Sequence, residues 1–125
     1  MISIENDTHN CCYFLADAIL LNDNKLTSTI PSTIGLLQSI TFIGLSNNEL
    51  TGTIPKSFYG LQNLELAYLS NNTLTGTISP QYGDMESLRD LYLDGNNLTG
   101  TIPGLSQDQI DNSDLGEYII CFPLF

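Results

Sequence analysis

At 125 residues and 42% hydrophobic content, the chain is long enough for one domain with one continuous core and too apolar for a disordered segment. Three basic residues stand against fourteen acidic ones, and the resulting charge of −11 repels polyanions, which excludes nucleic acid and anionic membrane as partners. No apolar run approaches the roughly twenty residues of a membrane helix, which excludes direct membrane insertion by this chain, and Met1 to Glu5 lacks the basic and apolar regions of a signal peptide. A leader for export would lie outside it.

Residues 1–12 form an N-terminal flank. Its vicinal Cys11 and Cys12, with Cys121 near the other end, make an odd count that leaves at least one thiol without a partner inside the chain. The pair reads either as buried small hydrophobes or as the remnant of a disulfide-bonded cap.

Residues 13–103 repeat with a period of 24. Leu21, Leu45, Leu69 and Leu93 keep this spacing, as do Asn24, Asn48, Asn72 and Asn96, then Leu26, Leu50, Leu74 and Leu98, then Ile30, Ile54, Ile78 and Ile102. Upstream, Tyr13, Leu37, Leu61 and Met85 fall in one register, Ala16, Ile40, Leu64 and Leu88 in a second, and Ile19, Ile43, Ala67 and Leu91 in a third. Each of the four units contains two extended pieces. In Ile43-Gly44-Leu45 the large side chains alternate, which predicts a strand buried on one face. In Leu50-Thr51-Gly52-Thr53-Ile54 the leucine, glycine and isoleucine point inward, both threonines point outward, and Pro55 ends the strand. One unit cannot bury its apolar face alone, so neighbouring units stack and their strands pair in parallel. The periodic asparagine, at the bend between the pieces, bonds backbone groups left unpaired there and forms a ladder along the stack.

The string Leu-x-x-Asn-x-Leu-Thr-Gly-Thr-Ile-Pro, present as Leu45 to Pro55 and Leu93 to Pro103, resembles the plant-type leucine-rich-repeat family, found also in algae such as diatoms. Ser28 stands in place of the motif glycine, and Ser79 in place of the proline, with Pro80 one position late. The resemblance implies an α/β fold: a right-handed solenoid with a concave parallel sheet, a short second sheet from the threonine-glycine segment, and 3-10 turns on the convex side. It also implies an extracellular or cell-surface setting, as in receptor ectodomains, secreted inhibitors of wall-degrading enzymes and surface proteins, while an intracellular placement stays open.

Residues 104–125 lose the register and read as a degenerate repeat or C-terminal cap. Asp108, Asp111, Asp114 and Glu117 do not match the spacing of a calcium loop and read as a solvated acidic edge. Coils stacked at about 4.8 Å separate the first and fourth strands by roughly 14 Å, with Cys121 beyond, so no disulfide from Cys121 to Cys11 or Cys12 is expected.

Nothing in the sequence suggests an enzyme. His9 is the one histidine and lies outside the array, the cysteines lack the spaced partners of a zinc site, and the periodic glycines belong to the repeat and not to a phosphate loop. No metal and no cofactor is expected. Function is therefore expected on a surface. If the first strand lines the concave sheet, its outward columns are Ala18, Phe42, Leu66, Asp90; Leu20, Gly44, Tyr68, Tyr92; and Asn22, Ser46, Ser70, Asp94, with Glu65 and Arg89 beside them. Phe42, Leu66, Tyr68, Arg89, Asp90, Tyr92 and Asp94 are the candidate site for a protein or peptide ligand, because clustered exposed aromatics with an arginine are common binding anchors. The competing reading is that the rings only stack on one another along the sheet. A second function class is an ice-binding surface made of the Thr27, Thr51, Thr75, Thr99 and Thr29, Thr53, Thr77, Thr101 columns. A third is a structural spacer in a larger surface protein. Asn6, Asn71 and Asn97 begin glycosylation sequons.

Overall fold

A computed structural model describes residues 13–15, 17–100 and 119–121. Among the described residues are ten short strands and three 3-10 turns: β1 (Tyr13–Leu15), β2 (Ala18–Leu20), β3 (Thr27–Thr29), η1 (Ser32–Leu36), β4 (Phe42–Gly44), β5 (Glu49–Gly52), η2 (Lys56–Gly60), β6 (Leu66–Tyr68), β7 (Thr73–Thr77), η3 (Pro80–Asp84), β8 (Asp90–Tyr92), β9 (Asn97–Thr99) and β10 (Ile119–Cys121). Each 24-residue unit closes one coil of a solenoid, with one strand in each of two sheets and, in the first three units, a 3-10 turn on the return path.

The concave sheet runs β1-β2-β4-β6-β8-β10, and its four inner strands pair in parallel as the stacking argument requires. Its two outer strands do not. β1 pairs antiparallel with β2, and β10 pairs antiparallel with β8. Tyr13, which the 24-residue register aligns with Leu37, Leu61 and Met85 of the turn segments, instead begins a strand opposite Leu20. A strand laid antiparallel against an edge satisfies that edge's backbone groups without having to complete a coil.

The interior is a column of leucines and isoleucines. Ile43, Leu45, Leu50, Leu64, Leu69, Leu74, Leu91 and Leu93 are at most 1% exposed, and Ile34, Phe58 and Tyr82 of the 3-10 turns close the core from the convex side. A side chain of that size, fully buried, contributes about 1.5–3 kcal/mol.

The asparagine ladder is present as expected. Asn72 accepts the Leu50 N–H at Oδ1 (3.0 Å), and its Nδ2 donates to the Leu45, Leu69 and Ser70 carbonyls at 3.0–3.2 Å, so one side chain ties two coils together. Asn48 and Asn96 repeat the arrangement. Asn24, in the first coil, bonds only within its own turn, and its buried Oδ1 has no partner among the described residues.

The second sheet, β3-β5-β7-β9, corrects the expected threonine grid. In the concave sheet equivalent residues face each other, Phe42 opposite Leu66; in the second sheet Thr29 faces Thr51, Thr51 faces Thr73, and Thr77 faces Thr99, an offset of 22 in place of 24. The ladder explains the shear. Oδ1 of Asn48, Asn72 and Asn96 takes the N–H of the preceding coil's leucine, and backbone pairing restarts with the Glu49 N–H donating to the Leu26 carbonyl (2.9 Å). Threonines of the 27, 51, 75, 99 series therefore lie diagonally across the sheet, and Glu49 stands opposite Thr27.

Both departures from the motif have local explanations. Gly52 has φ +74°, and a Cβ on it would lie 2.8 Å from the Thr29 γ-methyl of the coil before. Ser28 adopts the same φ of 74°, but no described coil precedes it to crowd its side chain. Ser79 accepts the Gln81 N–H (3.2 Å) and caps η3, with Pro80 as its first residue, so the turn forms without the proline that precedes η1 and η2.

Candidate functional site

Alternation in β2, β4, β6 and β8 sends Ile19, Ile43, Ala67 and Leu91 inward and leaves the flanking positions on the concave face. The register aligns Ala18, Phe42, Leu66 and Asp90 in one row across the coils, and Leu20, Gly44, Tyr68 and Tyr92 in a second. Phe42, Leu66, Tyr68, Asp90, Tyr92 and Asp94 are all half-buried.

The rings form a continuous ladder. Phe42 meets Tyr68 diagonally with centroids 5.0 Å apart at 76°, and Tyr68 meets Tyr92 directly across the strands at 4.7 Å and 82°. Edge-to-face contacts of this kind contribute about 0.5–1.5 kcal/mol each beyond their buried area. Stacking and availability coexist here, since the rings hold one another upright and keep part of their surface open to solvent.

Polar groups frame the ladder. Arg89 Nη1 lies 3.6 Å from Glu65 Oε2 across one coil, with both side chains about half exposed. The Ser70 hydroxyl donates to Asp94 Oδ1 and holds that carboxylate in place. Asn22 Oδ1 accepts the Ser46 N–H (2.9 Å), and its amide fills the space beside Gly44, where a Cβ would meet Nδ2 at 2.5 Å. Asn22 and Ser70 shape the face but were not among the candidate residues, because the register shows that a polar side chain faces outward and not which neighbour it bonds.

The sequon asparagines differ in setting. Asn71 and Asn97 are both exposed, Asn71 at φ +53° with its amide donated to Asn47 Oδ1 (2.8 Å), and Asn97 at the start of β9. Asn6 lies outside the described residues, as do Cys11, Cys12 and the acidic group 108–117. Among the described residues no cluster of three or more histidine, cysteine or acidic side chains could hold a metal ion.

Two sheets joined by an asparagine ladder, with 3-10 turns on the outer return, define a leucine-rich-repeat solenoid. The leucine rich repeat family model matches residues 39–98, and the solved structures similar to this chain include plant leucine-rich-repeat ectodomains. The ectodomain of the receptor kinase SOBIR1 from Arabidopsis thaliana is similar at 31% identity and TM-score 0.65, over 67% of this chain and 46% of that one. The plant peptide hormone receptor RGFR1 in complex with RGF2 is similar at 28% identity and TM-score 0.66, over 70% of this chain and 14% of that one. A plant ice-binding protein is similar at 35% identity and TM-score 0.66, over 70% of this chain and 28% of that one. The chain thus spans less than half the length of each of these three. A comparison with curated proteins gives no match.

Proposed function

We propose that the chain is the recognition module, or part of it, of an extracellular or cell-surface protein, and that it holds a protein or peptide ligand on its concave face. The observation that carries this reading is the half-buried ladder Phe42, Tyr68, Tyr92, three rings presented on one face of a rigid sheet. Rigid amphipathic rings lose little conformational entropy on binding and dominate the energetics of many interfaces. Likeness to RGFR1, a peptide hormone receptor, supports a peptide as the ligand. In that setting Asn71 and Asn97, both exposed, are glycan acceptors.

The test is capture from the native source on the intact chain and on a Tyr68→Ala/Tyr92→Ala variant of unchanged melting temperature. A ligand retained by the first and lost by the second supports the reading, while equal capture moves binding to another surface. A concave face on which every substitution is silent would leave a structural spacer.

Ice binding is the second reading, favoured by the threonine-bearing sheet and the likeness to a plant ice-binding protein. Against it, Thr51, Thr75 and Thr99 donate their hydroxyls to the Ser28, Gly52 and Gly76 carbonyls of the preceding coil, so these donors are spent within the sheet.

A further inference from the structure

The concave face is polarised along the stack. Its first-coil end presents Leu20, with Ala18 buried beside it, its middle carries the ring ladder, and its fourth-coil end carries Asp90 and Asp94, two residues either side of Tyr92 on the same face of the chain. Asp17 and Glu65 flank the coils in the row that also contains Arg89, and Arg89 is already paired with Glu65. Taken over the whole molecule, the formal charge of −11 offers no counterweight to this field. An anionic or purely apolar ligand would have to desolvate half-buried carboxylates without compensation, which is costly, whereas a cation replaces the lost water with a charge-assisted bond.

We infer that the ligand of the concave face is a basic peptide lying across the coils, with an apolar side chain against the Phe42, Tyr68, Tyr92 ladder and a lysine or arginine side chain set between Asp90 and Asp94. This rests on the concave-face reading and adds to it the sign and direction of the ligand. A guanidinium suits the place best, because it can pair with a carboxylate through two N–H groups and stack on the Tyr92 ring. Ser70 is a positioning residue, holding Asp94 through its hydroxyl.

The experiment pans a random dodecapeptide library displayed on phage against the intact chain, then measures the enriched peptides as synthetic probes. The proteins compared are the parent, Asp90→Asn/Asp94→Asn and Tyr68→Ala/Tyr92→Ala, each checked for an unchanged melting temperature. Enriched peptides should pair lysine or arginine with an apolar or aromatic residue, and should bind the aspartate variant about tenfold more weakly. Their affinity should also fall as salt rises from low to physiological concentration. Peptides lost by the tyrosine variant but bound equally by the aspartate variant would overturn the basic-peptide assignment and leave the concave-face reading standing. Peptides indifferent to both variants, or no enrichment at all, would overturn both. If the double aspartate variant fails to fold, Asp90→Asn alone decides the same comparison.

Discussion

Asn71 and Asn47 occupy the same left-handed backbone conformation one coil apart, with φ of 53° and 56°, and the amide of the first donates to Oδ1 of the second at 2.8 Å. Asn47 donates in turn to Asp23, whose φ is 57°, at 2.7 Å. In the fourth coil the place belongs to Gly95, where a Cβ would lie 2.2 Å from Asn71 Oδ1. A second, exposed ladder thus runs beside the buried one, built from residues that tolerate positive φ.

The two ladders should separate by stability. Asn72→Ala strands the Leu50 N–H and the Leu45 and Leu69 carbonyls in the core and should cost about 3 kcal/mol. Asn71→Ala loses only an exposed bond but places alanine at positive φ, so about 1 kcal/mol is expected, and Asn71→Gly should recover most of it. Urea denaturation of the three variants measures this, and equal midpoints for Asn72→Ala and Asn71→Ala would refute it.

Tyr82 occupies the place filled by Ile34 and Phe58 in the earlier coils, and its ring meets Tyr59 edge-on at 5.0 Å. Burial holds its hydroxyl far above the ordinary tyrosine range, with Tyr59 pushing the same way, and the buried oxygen finds no partner of ordinary hydrogen-bond geometry. Tyr82→Phe should therefore raise stability by about 1 kcal/mol. A lower melting temperature for the variant would mean that the hydroxyl is bonded after all.

Gly52 and Ser28 share a backbone conformation and should respond oppositely to substitution. Gly52→Ala meets both the strained φ and the Thr29 methyl and should destabilise by about 2 kcal/mol. Ser28→Gly relieves strain and should be neutral or mildly stabilising. Thermal melts of the pair decide, and a costless Gly52→Ala would contradict the close packing of the second sheet.

In the six-stranded sheet, β1 and β10 stand five strand spacings apart, roughly 24 Å, and Cys12 is joined directly to Tyr13 of β1. A disulfide needs Cα atoms within about 6.8 Å, so no bond from Cys121 to Cys12 is expected, and the Cys121 thiol should react in the denatured, unreduced chain. Peptide mapping that finds a Cys121 linkage to Cys11 or Cys12 would contradict the sheet order.

Ice-recrystallisation inhibition should be absent from the parent protein, because the Thr51, Thr75 and Thr99 hydroxyls are committed to carbonyls and the pairs lie diagonally. Activity that vanishes in Thr53→Tyr/Thr77→Tyr would reverse this.

Most of the architecture was legible because a solenoid writes its interior once per period. Leu45 and Leu69 must be equivalent, so the period alone yields the core columns, the buried asparagines and the rows of the concave face. The 22-residue offset of the second sheet was not legible, since a repeat names equivalent residues without saying how far neighbouring coils shear. Tyr13 misled for a related reason: an apolar residue at the right spacing satisfies the period whether it sits in a turn or in a strand of reversed direction. The left-handed backbone at Asn71 was not legible either, because positive φ leaves no mark in hydrophobic periodicity. Which ligand a row of rings accepts is set by a partner's chemistry, and the chain records only half of it.

The reversed strands at both ends of the concave sheet set a length scale. Between β2 and β8 there are three strand spacings, about 14 Å, while an extended peptide advances about 3.3 Å per residue. A ligand crossing the repeats is therefore read over a window of about four residues before it overhangs β1 or β10. Contacts confined to so short a window belong to the small, rapidly exchanging class of interfaces, below about 1,200 Å² of buried surface. Long residence on this chain would demand a second point of attachment, on another domain or another molecule, that grips the ligand where it leaves the sheet.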